Sequence, residues 1–163
     1  MNNKILSFFA LSAMLIIFTS CGPNKKQTPV QPTTALVKVS LLGTVASGTT
    51  IGGVDLSMTL PAGVSVKTQE NSVETSAGVV TASGVAVSNS QTISTYNSST
   101  GILRIVLVNA SGFGVGEVAL VNCEIAAGHQ PVSADFSQGD LTVADLNGNP
   151  ITDLAAGLAV EIK

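Results

Sequence analysis

Catalysis by proton transfer or nucleophilic attack needs at least two groups held within hydrogen-bond reach in a pocket, and this chain offers few such groups. His129 is its one imidazole, in the loop-like stretch Ala127-Gly128-His129-Gln130-Pro131, which reads as a solvent-exposed turn. The ten carboxylates are scattered, and the pair nearest in sequence, Glu70 and Glu74, lies in a Ser/Thr/Asn-rich stretch that reads as solvated. Cys123 sits in Val121-Asn122-Cys123-Glu124-Ile125, where alternation with polar neighbours places it on the buried face of a strand. A reactive thiol needs a neighbouring cation or helix start to lower its pKa, and the sequence puts neither beside it. These residues predict a chain that is not an enzyme.

Binding chemistry is equally sparse. Asp145, Asn147 and Asn149 have the i, i+2, i+4 spacing that opens a calcium loop. An EF-hand needs Gly at the sixth position and Glu at the twelfth, where this chain has Pro150 and Ala156, and Gly148 stands fourth. The same residues contain Asn-Gly, the strongest short hairpin signal, so a turn is expected and no metal or other cofactor. Sugar platforms stack pyranose faces on exposed aromatic rings. Only Tyr96 could serve, since Phe113 and Phe136 read as core and there is no Trp. Glycan recognition would have to rest on polar loops.

The elements that must position these residues fall into three segments. Residues 1–20 read as a secretory signal: Lys4, then an apolar run over residues 5–18 broken by Ser7 and Ser12, then Thr19-Ser20-Cys21. That run is about 14 residues, short of the roughly 20 a spanning helix needs. Residues 21–34 form a tether, polar, with Pro23, Pro29 and Pro32 and almost nothing to bury. At roughly 3 Å per residue it could reach about 40 Å.

Residues 35–163 carry the domain. Without the leader, Lys4 leaves the seven basic residues, so six face ten acidic ones, a net charge near −4. With no basic cluster, nucleic acid is excluded as a partner, because phosphates demand Lys and Arg. Val, Ala, Thr, Ser and Gly dominate, a composition for strands rather than helices. The period is two: Val37, Val39 and Leu41 oppose Lys38 and Ser40, and Val54, Leu56, Met58 and Leu60 alternate with Asp55, Ser57 and Thr59. Ile102-Leu103-Arg104-Ile105-Val106-Leu107-Val108 is apolar at both parities, which predicts a central strand covered on both sides or nearly so. Many short strands between Gly and Ser/Asn turns predict an all-β sandwich.

Two resemblances add to this reading. Phe18-Thr19-Ser20-Cys21 resembles the bacterial lipobox, with Phe18 where Leu is usual. The resemblance implies diacylglycerol transfer to the Cys21 thiol, cleavage between Ser20 and Cys21, and acylation of the new amino terminus. One acyl chain holds a protein only marginally to a bilayer, at about 0.8 kcal/mol per buried methylene, and several make the attachment stable. A lipid-anchored cell-envelope protein is implied. Gly22, in place of the Asp that resembles an inner-membrane retention signal, points to the outer membrane in a Gram-negative host.

Ile51-Gly52-Gly53-Val54-Asp55-Leu56-Ser57-Met58-Thr59-Leu60-Pro61, followed by Val64 and Val66, resembles a strand and V-x-V pair of cohesin domains. Gly101-Ile102-Leu103-Arg104-Ile105-Val106-Leu107 resembles the family's central strand, and Gly116-Glu117-Val118-Ala119-Leu120 the strand after it. Asp145-Leu146-Asn147-Gly148-Asn149-Pro150-Ile151 resembles its late hairpin. In this order the phrases cover most of residues 35–163. They imply a cohesin-like domain of the carbohydrate-binding-module-like superfamily, a jelly-roll sandwich of about nine strands. The implied function is protein binding on a sheet face, for which the wet face of Asp55, Ser57 and Thr59 is the candidate. The alternative is a carbohydrate-binding module acting on an envelope polysaccharide. No dockerin repeat, enzyme module or second cohesin copy accompanies the domain, so cellulosome assembly is not implied.

Overall fold

The computed structural model describes residues 31–163. The signal segment, Ser20, Cys21 and the tether up to residue 30 lie outside the described residues.

Alternation produces nine strands: β1 (Thr34–Gly43), β2 (Ile51–Thr59), β3 (Val64–Ser65), β4 (Val80–Ala82), β5 (Ser90–Asn97), β6 (Ile102–Phe113), β7 (Gly116–Ile125), β8 (Ser137–Asp145) and β9 (Leu154–Ile162). The only helical pieces among the described residues are single 3-10 turns at Gly84–Ala86 and Ser133–Asp135. The architecture is the expected all-β antiparallel sandwich of jelly-roll type. In the five-stranded sheet, β7 carries β3 and β4 on one side and β1 on the other, with β9 beyond β1. The four-stranded sheet runs β5-β6-β2-β8.

The core lies between these sheets. Val37, Val39 and Leu41 of β1 and Ala119, Val121 and Cys123 of β7 face Leu56 and Met58 of β2 and Leu103, Ile105 and Leu107 of β6, all buried. Each large aliphatic side chain so enclosed contributes about 1.5–3 kcal/mol. Phe113 and Phe136 are buried, as expected of core residues. A register shift between Val39 and Ser40 lets β7 turn Val118 inward beside Ala119, so both are buried. Thr33 and Thr34 both bond the Lys163 carbonyl through their backbone N–H groups (2.7 and 3.1 Å), so these residues lie together at one end of the sandwich.

One expectation fails. Leu103, Ile105 and Leu107 are buried, but the other parity of β6 is open: Ile102 is 43% exposed, Val108 53%, and Val106 half-buried. The strand is interior to its sheet, between β5 and β2, yet nothing among the described residues lies over its second face. A run apolar at both parities reports side-chain chemistry on two faces; it does not report what covers them.

Candidate functional site

Strand register assembles the outer face of the four-stranded sheet row by row. Gln91 of β5 stands opposite Val108, and Val108 opposite Gly53, which stands opposite Ala144. The next row is Ile93, Val106, Asp55 and Thr142, and the next begins Thr95, Arg104, Ser57. Aliphatic groups therefore gather on β5 and β6, with Ile93 62% exposed. Polar groups gather on β2.

The polar half is largely occupied by its own bonds. Arg104 meets Asp55 diagonally across β6 and β2 with both forks, Nε donating to Oδ1 at 2.8 Å and Nη2 to Oδ2. The guanidinium hydrogen bonds hold the Asp55 carboxyl below its usual 3.8, against the opposing effect of partial burial. Ser57 Oγ accepts the Asp140 backbone N–H at 2.8 Å, where β8 slips register against β2. The wet face of Asp55, Ser57 and Thr59 thus exists, but its charge is neutralised and the Ser57 hydroxyl engaged.

What remains for a partner is chiefly apolar on β6, with Gln91, Thr95 and Thr142 at its margins. Gly53, with no side chain, leaves a shallow groove between Val108 and Ala144 that runs on to Ala110 and Leu146 at the end of the sheet. A second depression lies between Val73, Ile102 and the Arg104 stem. The exposed Ile93, Ile102 and Val108 were missed as site residues in the sequence. For Ile102 and Val108 the signal was present in the double parity of β6, which reads equally well as a strand covered on both sides, whereas Ile93 stands on β5 outside that run.

The other candidates are placed singly. Tyr96 is 7% exposed, with its hydroxyl donating to the Val64 carbonyl at 3.4 Å, so its ring cannot serve as a sugar platform. Cys123 is 2% exposed and burial pushes its thiol up to about 12. His129 is an exposed turn residue whose ring packs on Gly63, where any Cβ would meet the imidazole. Glu70 and Glu74 are exposed, and the Glu74 carboxylate accepts from Gln69 Nε2 at 3.2 Å.

Asp145 is consumed by its own turn. Its Oδ1 accepts the backbone N–H groups of Asn147 and Asn149, each at 2.8 Å, and its Oδ2 accepts Asn149 Nδ2 at 2.9 Å. Those bonds, led by the Asn149 side chain, lower the Asp145 pKa. The turn closes by Gly148 N–H donating to the Asp145 carbonyl, with Gly148 alone at positive φ (+82°). It is therefore a type I turn ending in a left-handed Gly, rather than the two-residue turn that Asn-Gly most often makes.

No family model matches the chain, and no curated protein sequence matches it. Solved structures do. A non-cellulosomal cohesin from the hyperthermophilic archaeon Archaeoglobus fulgidus superposes with a TM-score of 0.52 at 14% identity, over 75% of this chain and 75% of that one. A chain of a type II cohesin–X-dockerin complex from Acetivibrio cellulolyticus gives 0.52 at 14% identity, over 78% and 86%. At this identity the likeness establishes a cohesin-like fold.

Proposed function

We propose that this cohesin-like sandwich is a non-catalytic protein-binding module, held at a bacterial cell envelope by acylated Cys21, and that its partner docks on the outer face of the four-stranded sheet. The observation that carries the reading is the uncovered aliphatic group Ile93, Val106 and Val108 around a self-neutralised Arg104–Asp55 pair. Interface centres are depleted in unpaired charge and enriched in apolar contact, and contiguous apolar surface on a soluble domain marks an interaction site. The solved complex of a cohesin with a dockerin partner supports protein binding as the use of this scaffold.

The test immobilises the mature chain and identifies what it captures from envelope extracts. The captured partner should be lost with Ile93→Asp and Val108→Asp, and retained with Lys38→Glu on the outer face of the other sheet. Equal loss with Lys38→Glu, or saturable sugar binding on a glycan array, would remove the proposal. For the anchor, Cys21→Ala should abolish palmitate labelling and release the protein from membranes; labelling that persists refutes it.

A further inference from the structure

Four edges bound the two sheets, and three are managed. β3 and β4, together one edge, are two and three residues long. β5 is covered by an added segment: Thr75 N–H donates to the Ser94 carbonyl (3.0 Å) and Tyr96 N–H to the Val73 carbonyl (2.7 Å). β8 is broken by a register shift opposite Leu56 and Met58, and its Val143 carbonyl takes the Ile151 N–H at 2.8 Å.

β9 is different. It pairs on one side with β1 in unbroken register from Ala35↔Ile162 to Gly43↔Leu154. Thr34 and Lys163 exchange both backbone bonds (3.1 and 2.8 Å). Antiparallel alternation then turns the N–H and C=O groups of Leu154, Ala156, Leu158, Val160 and Ile162 to the open side. Among the described residues, one bond reaches them there, from the Ser133 hydroxyl to the Val160 carbonyl at 3.1 Å. The strand has no proline and one charge, Glu161. A long, regular, apolar edge is a template for another strand.

We propose that β9 pairs antiparallel with β9 of a second copy of this chain, about a two-fold axis at Ala156, joining two five-stranded sheets into one. The occupant follows from self-complementarity: in Leu154-Ala155-Ala156-Gly157-Leu158 the leucines stand two places either side of Ala156 and small residues one place either side. The two-fold therefore sets Leu154 against Leu158 of the second copy, and Ala155 against Gly157. Asp153 meets Ala159, so no like charges oppose. Roughly six backbone hydrogen bonds form, and the Ser133 bond at Val160 lies outside the paired segment. Leu42, 53% exposed, lies over Gly157 beside the edge, and the second copy's Ala155 arrives next to it.

The measurement is sedimentation equilibrium of the mature chain with Cys21→Ser, which removes association through lipid. A monomer–dimer equilibrium is expected, with the amides of Leu154, Ala156 and Leu158 slowing in hydrogen exchange as concentration rises. Ala159→Asp sets two carboxylates opposite Asp153 per dimer and should weaken dimerisation about tenfold. Asp153→Lys added to it should restore the dimer. Both positions are exposed, so the fold is not at stake. A monomer at every concentration, a dimer without protection of those amides, or failure of the second substitution to restore pairing would overturn the proposal.

Discussion

The outer face of the five-stranded sheet carries Lys38, Glu124 and Glu161 interspersed with Leu36, Leu42 and Leu120, whereas that of the four-stranded sheet gathers Ile93, Val106 and Val108 around one ion pair. On the first, charges pair loosely at the rim, Lys67 with Glu124 at 4.0 Å and Lys163 with Glu161 at 3.4 Å, all well exposed. Such pairs are worth little. On the second, the charges satisfy each other through two directed bonds and the hydrocarbon is left to solvent. The inner faces, by contrast, are alike, both aliphatic and both buried. The outer faces therefore differ in how their charge is arranged, spread among leucines on one sheet and drawn into a single pair beside contiguous hydrocarbon on the other.

Adjacent residues of β6 separate the two faces most strongly. Ile105→Ala on the inner side should cost about 2–5 kcal/mol in denaturant melts, because it leaves a cavity in a packed core. Val106→Ala on the outer side should cost less than about 1 kcal/mol, close to an ordinary surface change such as Lys38→Ala. A Val106 effect as large as that of Ile105 would mean that the outer face is covered.

A second test probes the inner face of the other sheet. Cys123→Ser puts a hydroxyl where the thiol sits among aliphatic groups, and should cost about 1–3 kcal/mol. In the native wild type the thiol should resist alkylation at pH 8 and react fully once unfolded. Its pH signature has a definite sign. The folded pKa is raised from 9.0 to about 12, so the folded chain keeps a proton that the unfolded chain loses. This contribution is complete below pH 9.0 and is lost as pH climbs toward 12. Ready alkylation of the folded protein would show that the sheets part more easily than their packing implies.

Much of this was legible in the sequence, for a local reason. The period of two in β2 marks Val54, Leu56, Met58 and Leu60 as inward, and all four are buried. The same logic places Cys123 in the core. What strand parity cannot carry is register. Asp55 and Arg104 lie 49 positions apart and meet only because Ser57 stands opposite Arg104. Likewise the segment that covers β5, with Val73 and Thr75, shows no alternation, and it is positioned by backbone bonds to a strand almost twenty residues away. Parity also cannot say whether a second apolar face is covered, which is why Ile102 and Val108 read as interior and are not.

The ion pair itself gives the smallest effect and bears most directly on the contrast between the outer faces. Arg104 holds the Asp55 carboxyl below 3.8, so the folded state binds this proton less readily than the unfolded state. The contribution to stability is fully present above the unfolded value and is lost as pH falls through the folded one. Asp145 titrates in the same direction through its turn, so wild type alone cannot separate the two carboxylates. Comparison with Asp55→Asn can, because Asp145 is common to both chains. The wild-type advantage in urea melts should be flat from about pH 5 to 8, where both carboxylates are ionised, and should shrink on the acid side. An advantage that grows on acidification would mean that the carboxylate is a burden on the fold, retained as a free charge for the partner.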